Sequence, residues 1–263
     1  MKKILLFGLI IFATSSFAFT LNNNFGAAFK SKTVNVQVAG NSNCSSVTPE
    51  ELASMIGPAI DDFWNRVSTS SLRLKDGGFS GPIANISNGI LCPPTDSDCI
   101  GQGTTIPPVK GIIIGCNTNG SNFSSSSAVL AVTVPNHFSG NAIVGAVILI
   151  NDIPGNIFSQ LSRNEQISVI AHEIGHAIGL GHSKDDAALM YYRTVDHRER
   201  LGQDDIDGVS YLYPVKMDAC GLMGTIEETK TPPFFTTVGA LLLMILMSEC
   251  LRLFKRAKRS ATL

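Results

Sequence analysis

Residues 162–183 read SRNEQISVIAHEIGHAIGLGHS, and the reading of this stretch decides the reading of the rest. Ser162 can cap a helix, and Glu165, three residues on, can complete a reciprocal capping box. Ile167, Ile170, Ile174 and Ile178 recur at helical spacing and predict one apolar face. His172 and His176 stand at i and i+4, so both imidazoles leave the same side of that helix. Two imidazoles so placed can each set a nitrogen about 2.0–2.1 Å from a single zinc ion. Glu173, next to the first of them, can reach water on such an ion without being a ligand.

His182 lies ten positions after His172. On an unbroken helix it would sit roughly 15 Å along the axis and face away. It can join the other two only if the helix stops after Ala177, and Gly179, followed by Gly181, supplies that break. Three of the chain's five histidines fall in this short window, which sets metal binding ahead of ordinary buried or surface histidines. Three protein ligands leave a fourth position open to water, the arrangement of catalytic rather than closed structural zinc sites.

With these residues in view, the sequence resembles the metzincin zinc peptidases and, within them, the matrixins. Three stretches carry the resemblance: His172 to Ser183, with the pattern HExxHxxGxxH; Ala188-Leu189-Met190-Tyr191, similar to the family's Met-turn; and Leu201 to Tyr213, similar to the C-terminal matrixin helix. The resemblance implies that His172, His176 and His182 bind one catalytic zinc ion. It implies that Glu173 is the general base and later the proton donor, and that Met190 forms an apolar floor under the metal. The implied substrate is a protein or peptide.

Some features depart from the family. Matrixins usually carry Pro two residues after the turn Met, where this chain has Tyr192. A Tyr at that spacing resembles astacins and serralysins, so Tyr192 is either an auxiliary group at the site or an ordinary packed or exposed aromatic. No cysteine-switch segment is read. His137 and His197 match no structural zinc cluster, so no second zinc or calcium site is carried over.

The implied fold is α/β (α+β) and metzincin-like: a twisted mixed sheet with an active-site helix, a first helix and a C-terminal helix. Residues 32–38 alternate Val with polar residues, as a half-buried strand does. Thr48 with Glu51 can cap a helix running to about Val67, with Trp64 in the core. Residues 76–127 are rich in Gly, Ser, Asn and Pro and read mainly as loops around one strand candidate, 109–114. Residues 128–135 and 142–150 are further strand candidates. By resemblance the former pairs with extended substrate; an ordinary sheet strand is the alternative. Asp204 and Asp205 read as helix capping and a buried hydrogen bond. Asn85, Asn119 and Asn122 each begin an N-x-S triplet, given little weight as glycosylation acceptors.

The two ends point to export. Residues 1–18 have a basic start, an apolar run and small residues at Ser16 and Ala18, as a cleaved signal peptide has; an uncleaved anchor is the alternative. Residues 216–233 read as a linker. Residues 234–254 read as a single-pass membrane or sorting helix, and the basic residues of 255–263 place the tail in the cytoplasm. A permanent anchor and a tail removed by a processing enzyme near Cys220 both remain open. The folded part, residues 19–215, would then be a surface domain outside the cytoplasm.

Cysteine usage agrees, because oxidising compartments permit disulfides. Among Cys44, Cys92, Cys99 and Cys116 three pairings are possible, and proximity picks Cys92–Cys99 with Cys44–Cys116. Of the 263 residues, 44% are hydrophobic and 16% charged, which excludes a disordered chain. Residues 4–215 hold 11 Lys and Arg against 17 Asp and Glu, so no nucleic-acid partner is expected. Two functions survive: an exported zinc endopeptidase, or a surface-displayed, non-catalytic binding or adhesion module that uses zinc only for stability.

Overall fold

The computed structural model describes residues 19–22, 26–45, 47–193 and 198–215. Contacts divide the chain into one unit, Met1–Lys216, and a second, Met217–Leu263. The signal-peptide reading of 1–18 and the linker, helix and tail readings of 216–263 lie outside the described residues, as does His197. Among the described residues no helix is long and apolar enough to cross a membrane.

The chain builds β1 (Ala28–Phe29), β2 (Thr33–Val38), α1 (Pro49–Asp61), β3 (Arg73–Phe79) and the short α2 (Ser97–Ile100). It continues with β4 (Gly111–Asn117), β5 (Ala131–Ser139), β6 (Ala142–Asn151), α3 (Arg163–Ala177) and α4 (Gln203–Leu212). The strands form one sheet in the order β1-β6-β4-β2-β3, with β5 also paired to β6. All these pairings are parallel except β5 on β6, so the sheet is mixed. Sheet and helices fit a metzincin-like α/β fold.

Period-two alternation decides which face each side chain serves. Val34, Val36 and Val38, with Ile112, Ile114, Ile148 and Ile150, face a core shared with α1 and α3. Ile113, Val147 and Leu149 point the other way, into a second core closed by Ile86, Leu91, Ile106, Val109 and Phe123. The polar stretch expected to be loops therefore supplies the apolar cover of a whole sheet face. The Cys92–Cys99 bond staples that cover, and Cys44–Cys116 ties the segment before α1 to β4. This is the pairing chosen on proximity.

Three elements differ from expectation. The first helix ends at Asp61, and Phe63 turns the chain so that Trp64–Arg66 form a separate 3-10 turn. The turn has a tertiary cause: Trp64 goes under α3 and donates its indole N–H to the Ala171 carbonyl at 2.9 Å. Inside α1, Pro58 cannot bond the Ser54 carbonyl four residues back, and that carbonyl accepts from Arg163 of α3 instead. Second, β3 is a strand where loop began in the sequence reading; it is an edge with few apolar residues and a Gly77-Gly78 pair. Third, β5 begins three residues later than the strand read at 128.

All three N-x-S asparagines are engaged internally. Asn85 donates to the Thr105 carbonyl, Asn119 to that of Asn88, and Asn122 to that of Gly89. These amides build the loop cover, which argues against a carbohydrate role.

Candidate functional site

Helix α3 starts as its sequence dictates. Ser162 accepts from the Glu165 backbone N–H, and the Glu165 carboxylate returns to the Ser162 N–H at 2.7 Å. It ends at Ala177, and Gly179 follows with φ +110°, a conformation side-chain-bearing residues rarely adopt. A Cβ there would stand 2.5 Å from the Ala27 carbonyl oxygen, so space as well as torsion requires glycine. The turn carries His182 back over the helix.

The three imidazoles converge, their candidate ligand atoms all within 4.8 Å of one another. The Nε2 atoms of His176 and His182 are 3.2 Å apart. His172 Nδ1 lies 2.7 Å from the Leu189 carbonyl oxygen and His176 Nδ1 2.9 Å from that of Leu180. A carbonyl can only accept, so each Nδ1 carries the proton and each Nε2 keeps its lone pair toward the cluster. Burial and the neighbouring His172 push the His176 pKa down to about 3, and His182 is lowered by the same causes. Both imidazoles are therefore neutral at physiological pH, as metal ligation requires. Ring nitrogens on three converging imidazoles fit a zinc ion.

Glu173 is buried beside this cluster, at 7% exposure. Its carboxylate accepts from the Thr133 hydroxyl on β5 at 2.6 Å. Burial raises its pKa, while His172 and the Thr133 hydrogen bond pull the other way. Thr133 went unread in the sequence; the signal was one hydroxyl inside the apolar run 128–135.

Met190 lies buried under α3. A Cβ on Gly175 would come 2.3 Å from its sulfur and 2.8 Å from the Trp64 ring, so glycine lets Met190 and Trp64 fill the underside. The Met-turn is held by Asp205, whose carboxylate accepts from the backbone N–H groups of Leu189, Met190 and Gly202. This is the capping and buried hydrogen bonding expected of that residue. Tyr192 is half exposed at the rim, its ring beside Tyr191 and under the Arg193 guanidinium.

The cluster opens on a cleft of about 730 Å³. One wall is β5, the antiparallel neighbour of β6; the other runs through Leu189, Tyr191 and Arg198. His137, the remaining described histidine, bonds the Val109 carbonyl instead. At one end of the cleft Thr20 and Leu21 reach the His182 turn. Gly181 N–H donates to the Thr20 carbonyl and Asn22 N–H to that of Gly179, both at 2.8–2.9 Å.

Residues 115–214 match the matrixin family model. The matched span begins in β4 and contains the triad, Glu173, the Met-turn and α4. Similar curated proteins include Metalloendoproteinase 1 of Glycine max, 53% identical over 51 residues, covering 18% of this chain and 16% of that protein. Metalloendoproteinase 2-MMP of Arabidopsis thaliana is 35% identical over 89 residues, covering 32% of this chain and 22% of that protein. The 72 kDa type IV collagenase of Gallus gallus is 53% identical over 51 residues, covering 19% and 8% respectively. The chain thus spans under a quarter of the length of these relatives. The likeness supports a matrixin-like region over residues 115–214.

Proposed function

We propose that residues 19–215 form an exported zinc endopeptidase domain. The observation that carries this reading is the set of three converging imidazoles, two with Nδ1 tied to a carbonyl, beside the buried Glu173. His172, His176 and His182 would hold one zinc ion, which in such a site acidifies water toward a pKa of about 7 and polarises a carbonyl.

The rest of the chemistry belongs to the chain's own groups. Among the described residues β5 pairs only with β6, so its other backbone edge is where an extended peptide can add as a further strand. That places a peptide bond over the imidazoles. Glu173 takes a proton from the attacking water at its carboxylate, and Thr133 fixes which oxygen points inward. The same carboxyl then delivers the proton to the departing amine. Met190 and Trp64 keep the underside dry and α3 rigid. Tyr192, at the rim, is proposed only as an auxiliary contact to substrate.

Two disulfides support a location outside the reducing cytoplasm. The leader at 1–18 and the apolar segment at 234–254 are proposed to export and anchor the domain, with removal of the tail near Cys220 as the second route. The mass of the mature protein separates these.

The test of function uses the full-length chain, with zinc content and cleavage of a broad peptide library measured together. One zinc per chain and chelator-sensitive cleavage are expected. Glu173→Ala should keep the metal and lose roughly 10²–10⁴-fold in rate, the usual contribution of a general base. Full activity in that variant refutes the mechanism; zinc without cleavage of any peptide favours the binding-module reading.

A further inference from the structure

Arg198 lines the same cleft as the triad, and nothing described bonds the buried part of its guanidinium. Its Nε and Nη2 are shielded from solvent and have no hydrogen-bond partner. The residue is pinned by its backbone, whose N–H donates to the Ser168 hydroxyl at 3.1 Å. Ser168 stands on α3 one helical turn before His172 and is itself buried. His172 in turn bonds the carbonyl of Leu189, which shares the wall with Arg198. The backbone of Arg198 is thus held one helical turn before His172, and its side chain lines the cleft that the three imidazoles share.

A guanidinium stays charged in any protein environment, so burial cannot neutralise it. Shielded N–H groups without acceptors are unfavourable, and a neutral carbonyl would satisfy the hydrogens but leave the charge. A carboxylate satisfies both through two parallel hydrogen bonds. The described lining of the cleft offers no such group to Arg198. Among its described lining residues Glu173 is the one carboxylate, and its neighbours are His172 and Thr133. The second lining cation, Arg193, adds positive potential at the rim.

We propose that Arg198 is a specificity-determining residue that pairs with a carboxylate of the substrate next to the cleaved bond. The endopeptidase preference is then for Asp or Glu at that position. This rests on the endopeptidase reading above. The same carboxylate chemistry could come from the end of a peptide chain, so the test separates the two sources.

Three fluorogenic peptides are compared on the full-length, zinc-supplied protein: one amidated with Glu beside the scissile bond, one amidated with Gln there, and the Gln peptide with a free C-terminus. Each is made with the varied residue on either side of the bond. The Glu peptide should exceed the amidated Gln peptide by roughly tenfold or more in kcat/KM at one of the two positions. Arg198→Gln should collapse that ratio to about one, and Arg198→Lys should keep part of it. The melting temperature of Arg198→Gln should not fall, because an unpaired charge is removed; a large fall marks Arg198 as structural and overturns the assignment. The same peptides are titrated onto Glu173→Ala by fluorescence anisotropy, which reads selectivity without turnover.

Zinc-dependent cleavage with equal rates for Glu and Gln overturns the role of Arg198 and leaves the endopeptidase standing. Glu-selective binding that Arg198→Gln abolishes, with no cleavage of any peptide, does the reverse. A preference for the free acid over the Glu peptide keeps the carboxylate partner and assigns it to the chain end. A Glu preference that survives in Arg198→Gln overturns the proposal.

Discussion

Thr133 is the residue through which the sheet reaches Glu173. Its hydroxyl is the one side-chain donor described on the Glu173 carboxylate, in a buried setting where a hydrogen bond to a charged group contributes about 1.5–3 kcal/mol. Thr133→Val keeps the β-branched shape and removes the donor. The expected outcome is a roughly tenfold fall in kcat/KM with zinc content unchanged, and recovery in Thr133→Ser. Steady-state kinetics and metal analysis on the three proteins check it; an unchanged kcat/KM in Thr133→Val removes the residue from the mechanism. At this scale the sequence was legible where chemistry is local. The convergence of His172, His176 and His182, the place of Glu173 beside them, the burial of Met190 and the hydrogen bonds of Asp205 could all be read from spacing or resemblance. Thr133 and Arg198 could not, because each meets the site only across the fold, at sequence separations of 40 from Glu173 and 30 from Ser168.

At the scale of the element, the end of α3 governs whether the third imidazole joins the other two. Gly179 at φ +110°, with the Ala27 carbonyl where a Cβ would go, leaves no room for another residue. Gly179→Ala combines an unfavourable torsion, about 1–3 kcal/mol, with a backbone clash that must be relieved by moving the His182 turn. Zinc affinity should fall more than tenfold and the melting temperature should drop. Gly81→Ala, whose Cβ meets nothing within 4 Å, should change neither. Metal titration with a competing chelator reads the difference, and wild-type affinity in Gly179→Ala refutes the steric argument. This break was readable because glycine is its own signal. The end of α1 was not: Pro49–Asp61 stops where it does because Trp64 has a partner in α3, and no residue within α1 encodes that partner. β3 escaped notice for the opposite reason, since an edge strand needs little apolar patterning to be held by β2.

Across the whole molecule, Tyr213 joins three parts that are distant in the chain. Its hydroxyl donates to the Ile178 carbonyl at the end of α3 and accepts from the Phe29 N–H of β1, while its own backbone follows α4. Burial raises its pKa above the ordinary value of 10. A group whose folded pKa is raised contributes stability that is complete below its unfolded pKa and is lost as pH climbs toward the folded value. Wild-type protein should therefore lose stability above about pH 10, and Tyr213→Phe should lack that component of the slope. At neutral pH the same variant should be about 1–3 kcal/mol less stable, since it leaves a buried carbonyl and N–H unpaired. Denaturant midpoints at pH 8 and pH 10.5 for both proteins test this; parallel slopes would show that Tyr213 contributes nothing to the alkaline transition. The overall architecture was legible from α3 outward, with both disulfides following from cysteine proximity. The second core was hidden because its cover is irregular chain, held by asparagine side chains rather than by a repeating pattern.

The pairing of Thr20 and Asn22 with the turn that bears His182 has a kinetic corollary. That turn is completed by backbone partners more than 150 residues earlier in the chain. Closing so long a loop is among the slow events of folding. Two imidazoles are thus in place as soon as α3 forms, whereas the last awaits the return of the N-terminal segment. Tight ion capture should accordingly trail secondary-structure formation when refolding is followed in real time.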